Sequence, residues 1–111
     1  MLFFRSLAVG IFASLLLYTA VVATDHGLNL LPVFFGDMAK FDWPGQFNFD
    51  FMFMLTFSAL WVSWRHRFSG SGLALGLLAL FGGSLFLSAY LFIESLRVKG
   101  DARRLVLGAN S

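Results

Sequence analysis

The chain has 111 residues, of which 59% are hydrophobic, 18% aromatic and only 13% charged. A soluble domain of this size buries about two thirds of its unfolded surface, so this much apolar surface needs lipid or a partner. The eight Lys and Arg form no basic stripe and cysteine is absent, which excludes nucleic-acid binding, disulfides and thiolate metal sites. We therefore expect an all-α integral membrane protein.

The first predicted element is a membrane span over about residues 3–23, because residues 7–23 carry no charge and two phenylalanines extend the run across Arg5. An alternative is a cleaved secretory signal, with small residues at 21–23 before the cleavage point at Thr24. A retained helix is favoured, because the uncharged run exceeds the roughly 7–15 apolar residues of a typical signal.

A long connection, residues 24–47, follows this span. Its apolar run at 28–35 is interrupted by Pro32 and followed by Gly36, and it is too short to cross a bilayer. We expect it to lie in the membrane interface or to fold back over the bundle. The sequence Trp-Pro-Gly at 43–45 predicts a tight turn before the next helix.

Two further spans are predicted over residues 48–64, with Asn48 as the N-cap, and over residues 73–93. The third span carries no charge and is about 31 Å long as a straight helix. The short Gly and Ser turn between the two spans predicts antiparallel neighbours. Residues 94–111 form a basic amphipathic tail, so the expected fold is a single three-helix membrane bundle.

The distribution of Lys and Arg gives the orientation of such a bundle only a weak bias. Three spans place three basic residues on the side of the amino terminus and five on the other side. The dominance of the first helix favours an amino terminus inside, although the near balance also permits both orientations. The two groups are Arg5, Arg65 and Arg67 on the first side, and Lys40, Arg97, Lys99, Arg103 and Arg104 on the second.

Small residues on two of the spans predict helix packing. At 100° per residue they fall on one face of each helix and allow backbones to approach closely in lipid. Packing within the chain is the favoured interpretation, and a face for a partner membrane protein or a second copy is the alternative. The predicted packing residues are Gly72, Gly76, Ala79 and Gly83 on the third span, and Gly10 and Ala13 on the first.

Asp50 is the first candidate for a catalytic residue, because it is a carboxylate near the start of an otherwise apolar span. With Asn48 as the N-cap, Asp50 would lie in the first helical turn, where the helix dipole favours a negative charge and water is near. If the helix begins earlier, at Gly45 or Gln46, Asp50 lies a full turn into the hydrocarbon and is a functional residue by default.

The three-span topology groups several polar residues on one membrane face. His26, Asp50 and Glu94 are the catalytic candidates there, since two carboxylates and a histidine could act as acid and base or bind a cation. The alternative is that Glu94 pairs with Arg97 and that Asp25 and the other groups are solvated. No metal site is expected from this pattern.

The aromatic residues and the two histidines leave the cofactor open. The 15 Phe residues could line a site for a carotenoid, a quinone or an isoprenoid, although such side chains more often face lipid. His26 and His66 follow different spans and lie on opposite faces of the predicted topology. Bis-histidine haem within one subunit is therefore excluded if this topology holds.

Several short motifs along the chain carry a resemblance to a known class of proteins. They are Asp25-His26-Gly27, Phe34-Phe35, Asn48-Phe49-Asp50, Leu60-Trp61-Val62, Arg65, Tyr90 and Gly100-Asp101. In these motifs the chain resembles small uncharacterised bacterial three-helix membrane proteins of the domain-of-unknown-function kind, which implies the architecture and no settled activity. A weaker similarity is to integral-membrane terpene and lycopene cyclases, which use intramembrane carboxylates as acids. Those enzymes have more helices per active unit, and no paired acidic motif accompanies Asp50.

The sequence thus predicts a multi-pass protein of the cell membrane. The favoured function is a non-catalytic subunit or accessory protein that packs against partner helices or lipid. The alternative is a membrane enzyme or transporter for an apolar or cationic small molecule, using Asp50, Glu94 and His26.

Overall fold

The computed structural model describes residues 1–111 and is all-helical, which confirms the predicted all-α class, but it has five α-helices rather than the predicted three. The first and fourth helices are long and apolar enough to cross a membrane, judged by length and composition. The molecule measures 43 × 27 × 23 Å. Its helices are α1 (Leu2–His26), α2 (Leu30–Ala39), α3 (Trp43–Arg65), α4 (Gly70–Arg97) and α5 (Ala102–Leu107), followed by a 3₁₀ turn (Gly108–Asn110).

Helix α3 begins earlier than predicted, and Asn48 is not its N-cap. Asp42 caps α3 instead, since its carboxylate accepts a hydrogen bond of 3.1 Å from the Gly45 amide. Pro44 fits the first helical turn because its missing N–H would have no partner there. Trp-Pro-Gly therefore opens the helix rather than forming a separate turn, and Asp50 lies two turns inside it.

The long connection contains a helix, α2, which packs against the start of α3. Gly45 permits this approach, because a Cβ atom there would collide with the Asp37 carbonyl. The Asn48 side chain donates a hydrogen bond of 3.1 Å to the Phe34 carbonyl. The predicted alternative in which this segment folds back on the rest of the chain thus describes α2.

Helix α4 is broken at Gly83, whose φ of 56° and ψ of −142° are not helical. Its first half, 70–82, runs antiparallel to α3, with Gly76 against Ser63 and Gly83 near Phe51. Its second half, 84–97, then returns toward the end of α3. The third span is therefore not the straight helix predicted over 73–93, and each half is only about 20 Å long.

Helix α1 packs against the returning half of α4. Arg5 donates hydrogen bonds to the Ser95 hydroxyl and carbonyl at 3.1 and 2.9 Å, and Ala8 is buried in the same interface. Helix α4 thus contacts both α1 and α3. The carboxyl-terminal half of α1 continues beyond the turn at Gly83 and is almost wholly exposed.

The core of the molecule is small, since only 14 of 111 residues are buried. It centres on Val62, Ala79 and Tyr90, which come from α3 and the two halves of α4. Large apolar side chains instead cover the outside, with Phe3 at 83% and Phe57 at 72% exposure. Exposed apolar surface of this extent is typical of a region that contacts a membrane or another protein.

Candidate functional site

A buried ion pair joins the end of α3 to the returning half of α4. The Arg65 and Glu94 side chains are only 3% and 9% exposed, and Arg65 Nη1 lies 3.1 Å from Glu94 Oε2. Arg97 completes the pair, with its Nη1 atom 3.2 Å from Glu94 Oε1. Both carboxylate oxygens therefore have a cationic partner, which a buried charge requires.

Tyr90 and His66 extend this ion pair into a polar cluster. The Tyr90 hydroxyl accepts a hydrogen bond of 3.1 Å from Arg65 Nη1 and lies 2.6 Å from His66 Nε2. The Arg65 guanidinium is also 5.7 Å from the centre of the Tyr90 ring, a cation–π distance. We call Arg65, His66, Tyr90 and Glu94 the Arg65 cluster.

Helix α5 and the 3₁₀ turn cover the Arg65 cluster. Arg65 Nε donates to the Leu105 carbonyl, and the 3₁₀ turn approaches so closely that only glycine fits at Gly108, against the Arg65 backbone. The Trp61 indole N–H also donates to the Val106 carbonyl at 3.1 Å. The predicted basic tail is therefore fixed to the helices by the same arginine that binds Glu94.

The geometry of the Arg65 cluster suits structural support more than proton transfer. Arg65 donates to a carboxylate, a hydroxyl and a backbone carbonyl, which together come from two other helices. The single buried side-chain polar atom that lacks a partner in the molecule, Ser58 Oγ, is not in the cluster. A satisfied buried network of this kind fixes the relative positions of the elements it joins.

The three catalytic candidates are not brought together. Glu94 lies in the Arg65 cluster, whereas Asp50 is exposed, 15 residues before Arg65 on the same helix, or about 22 Å along the axis. His26 is exposed at the end of α1 that points away from Glu94. The predicted grouping on one face is therefore wrong, because the return at Gly83 carries Glu94 to the opposite end.

The predicted packing residues fall into two groups. A Cβ atom at Gly72 or Gly76 would collide with His66 or Ser63, and Ala79 is fully buried, so this face of α4 lies against α3. Gly10 has no neighbour within 4 Å of where a Cβ atom would lie, and Ala13 on the same helix is exposed. The small-residue face of α1 is thus uncovered within the chain.

The return of α4 also separates the charges of the molecule. Seven of the eight Lys and Arg lie at one end, which we call the basic end, and only Lys40 lies at the other. The count of three against five expected from three straight spans is therefore wrong. The basic end carries Arg5, Arg65, Arg67, Arg97, Lys99, Arg103 and Arg104 with Glu94 and Asp101, and the acidic end carries Lys40 with Asp25, Asp37, Asp42 and Asp50.

Sequence reasoning missed Arg65, His66 and Tyr90 as members of one cluster. Arg65 and His66 directly follow the predicted second span of residues 48–64, and Tyr90 lies within the predicted third span of residues 73–93, so the predicted spans did not bring the three together. A usable signal was Glu94 itself, because a carboxylate directly after a long apolar run needs a cationic partner. Identifying Arg65 as that partner required the reversal at Gly83.

Comparison with family models, with curated proteins and with solved structures found no match for this chain. Its function has therefore to be argued from its own geometry. The two features that carry most information are the Arg65 cluster and the apolar surface that surrounds α1 and α3.

Proposed function

We propose that this chain is an integral membrane protein without catalytic chemistry of its own, which acts as a packing subunit for other membrane helices. The observation that carries the proposal is the large apolar surface of α1 and α3 combined with a buried carboxylate, Glu94, that is fully paired within the chain. A catalytic site needs polar groups left free for a substrate. Here Glu94, the one buried carboxylate, has both oxygens bound by arginines.

In the proposed arrangement α1 and α3 cross the bilayer and α4 enters and leaves on the same side as a re-entrant hairpin. By composition only α1 and α4 are apolar enough to cross a membrane. We assign the second crossing to α3 because α4 is broken at Gly83 and each of its halves is only about 20 Å long. At 25 and 23 residues, α1 and α3 are about 37 and 34 Å long, enough for a hydrocarbon core of roughly 30 Å. The non-helical backbone at Gly83 is packed against α3, as irregular backbone at membrane depth requires.

The same arrangement gives the protein an orientation. The basic end, with seven of the eight Lys and Arg, faces the cytoplasm according to the positive-inside rule. Both termini then lie inside. The packing of Arg5 and Ala8 against α4 supports a retained first helix rather than a cleaved signal.

The alternative of an enzyme or transporter has less support. It needs Asp50, Glu94 and His26 in one site, and these residues lie at opposite ends of the molecule. Asp50 alone is exposed and makes no ion pair within the chain. A single carboxylate of this kind fits a contact with a partner helix as well as it fits catalysis.

Single cysteines test the topology, because the natural chain has no cysteine to interfere. Asn29→Cys reports on the acidic end and Ser71→Cys on the basic end. In intact cells a membrane-impermeant maleimide should label Asn29→Cys, and it should label Ser71→Cys only after permeabilisation. The opposite pattern would reverse the orientation, and release of the protein by alkaline carbonate would exclude membrane insertion.

Cross-linking tests the packing role. Gly10→Cys places a thiol on the uncovered face of α1, and Ala8→Cys places one on the face buried against α4. We expect a short thiol cross-linker to join Gly10→Cys in native membranes to one protein of fixed mass, and not to join Ala8→Cys. Absence of any discrete product from Gly10→Cys would contradict the proposed subunit role.

A further inference from the structure

A small polar cavity lies at the basic end, between α5 and the ends of α3 and α4. Its volume is about 220 Å³ and it opens to the surface. His66, Arg97 and Arg104 line it from three different elements. Its wall has one acidic side chain, Glu94, which is bound by Arg65 and Arg97, and three arginine side chains, so basic side chains outnumber acidic ones.

Several hydrogen-bond donors in this cavity have no partner within the chain. The Arg104 backbone is fixed, because its amide donates to Asp101 and its carbonyl accepts from Arg65, but its guanidinium bonds to nothing. Arg97 uses only Nη1, and its side chain is 70% exposed. His66 directs Nε2 toward Tyr90, which leaves Nδ1 free. Arg97 and Arg104 therefore have N–H groups that can donate to a ligand in the cavity.

We propose that this cavity binds the phosphate of an anionic phospholipid headgroup. Guanidinium groups match phosphate oxygens in pairs, and a cavity of this size has room for a phosphodiester and a small polar head. The inference rests on the proposed function, which brings the basic end to the cytoplasmic leaflet where anionic lipids are concentrated.

The surroundings of the cavity favour a lipid over a soluble phosphate. Ile93 and Leu96, on the turn of α4 before Arg97, are 54% and 50% exposed. Both side chains extend the exposed apolar surface of α4 to the helical turn that ends at Arg97, and Arg97 lines the cavity. A phospholipid can contact this surface with its acyl chains while its phosphate meets the arginines, whereas a soluble anion gains only the charge.

The test uses the full-length protein purified in a neutral detergent and native mass spectrometry with added lipid. We expect phosphatidylglycerol to bind at one site and phosphatidylcholine with the same acyl chains to bind at least ten times more weakly. Equal binding of the two lipids would overturn the proposal, because a phosphate bound by arginines should favour the lipid with net negative charge.

Two paired variants locate the site. Arg97→Gln with Arg104→Gln should weaken phosphatidylglycerol binding by roughly 30-fold, given the energy of each basic residue near an anionic surface. Lys99→Gln with Arg103→Gln removes the same charge from the same end but not from the cavity wall, and should change binding less than about twofold. Equal losses in both pairs would mean diffuse attraction and no site.

Arg104→Gln alone keeps the test independent of folding, because this side chain is exposed and makes no hydrogen bond or ion pair within the chain. We expect about a fivefold loss of phosphatidylglycerol binding from it. Glycerol phosphate, which has no acyl chains, distinguishes a lipid from a soluble anion as the ligand. If it displaces phosphatidylglycerol at the same concentration as the lipid, the ligand is a soluble anion and the proposal is overturned. Carbonate extraction is the separate readout for membrane insertion. A protein that stays in the membrane without lipid preference contradicts only this inference.

Discussion

Arg65 shows how one residue can hold several elements of a small helical protein together. Its guanidinium binds Glu94, Tyr90 and the Leu105 carbonyl, which reach it from α4 and α5. Lysine has a single charged nitrogen and could not bind these groups in the same planar geometry. The Arg65 side chain therefore joins α3 to α4 and α5 in addition to neutralising Glu94.

We expect Arg65→Met to destabilise the protein by about 3–5 kcal/mol, because it leaves the buried Glu94 carboxylate with only the exposed Arg97 as partner. The measurement is reversible unfolding in mixed micelles. The double variant Arg65→Met with Glu94→Leu is the control, since it removes both charges. It should recover most of the lost stability, and a loss equal to that of the single variant would contradict an ion-pair role.

Asp50 presents the opposite case of a charge without a partner. It lies seven residues, or about 10 Å, past Trp43 on an exposed face of α3. We expect Asp50→Asn to raise the stability of the isolated protein by about 1 kcal/mol, because a carboxylate near hydrocarbon is costly. The same unfolding experiment checks this.

Glu94→Gln is the matched comparison for Asp50→Asn, because both replace a carboxylate by an amide. At Glu94 the change removes a paired charge and should lower the stability of the protein. If Asp50→Asn destabilises the isolated protein, the carboxylate has an internal role that its exposure does not suggest. If it leaves the isolated protein stable but abolishes the Gly10→Cys cross-link, Asp50 contacts the partner.

At the scale of the element, the return of α4 depends on Gly83. Its φ of 56° with ψ of −142° lies in a region that essentially only glycine adopts, and Phe51 lies close to where a Cβ atom would be. We expect Gly83→Ala to destabilise the protein by about 1–3 kcal/mol in the micelle unfolding experiment.

Gly36→Ala is the control for this glycine, because Gly36 is helical with open space around it and alanine should be neutral or slightly stabilising there. If α4 were a straight span in lipid, Gly83→Ala would stabilise it in the same way. Equal responses of the two variants would therefore contradict the hairpin.

The same turn explains how much of the fold the sequence could predict. Long apolar segments without charged residues identify helices well, so the predicted span over residues 3–23 agrees closely with α1. They cannot show where a continuous apolar run reverses, because both halves of α4 are equally apolar and glycine also occurs in straight membrane helices. Gly83 was therefore assigned to a packing face, and Glu94 to the wrong end of the molecule.

At the scale of the whole molecule, the return of α4 converts a nearly balanced sequence into a strongly polarised protein. Three straight spans would divide the Lys and Arg almost evenly, whereas the hairpin brings both ends of α4 and the tail to the side of the amino terminus. In the proposed membrane arrangement, the return of α4 would thus set the charge asymmetry on which the positive-inside rule acts.

The final prediction follows from this asymmetry. Arg67, Lys99 and Arg103 make no side-chain ion pair within the chain, so their removal should leave the fold intact. The variant changes all three to Gln and adds Asp25→Lys and Asn29→Lys at the acidic end. It then has four Lys and Arg residues at the basic end and three at the acidic end. We expect labelling of Ser71→Cys in intact cells to rise from near zero to a substantial fraction, because insertion then occurs in both orientations.

The matched control for this prediction exchanges Lys and Arg at the same three positions, which keeps every charge and should leave labelling one-sided. Unchanged labelling in the neutralised variant would mean that the Lys and Arg count does not orient the chain. If three straight spans were correct instead, the same changes would leave two basic residues on the amino-terminal side against five on the other, a clear bias. Mixed orientation therefore supports the hairpin, because these changes make the numbers of Lys and Arg at the two ends nearly equal only if α4 returns.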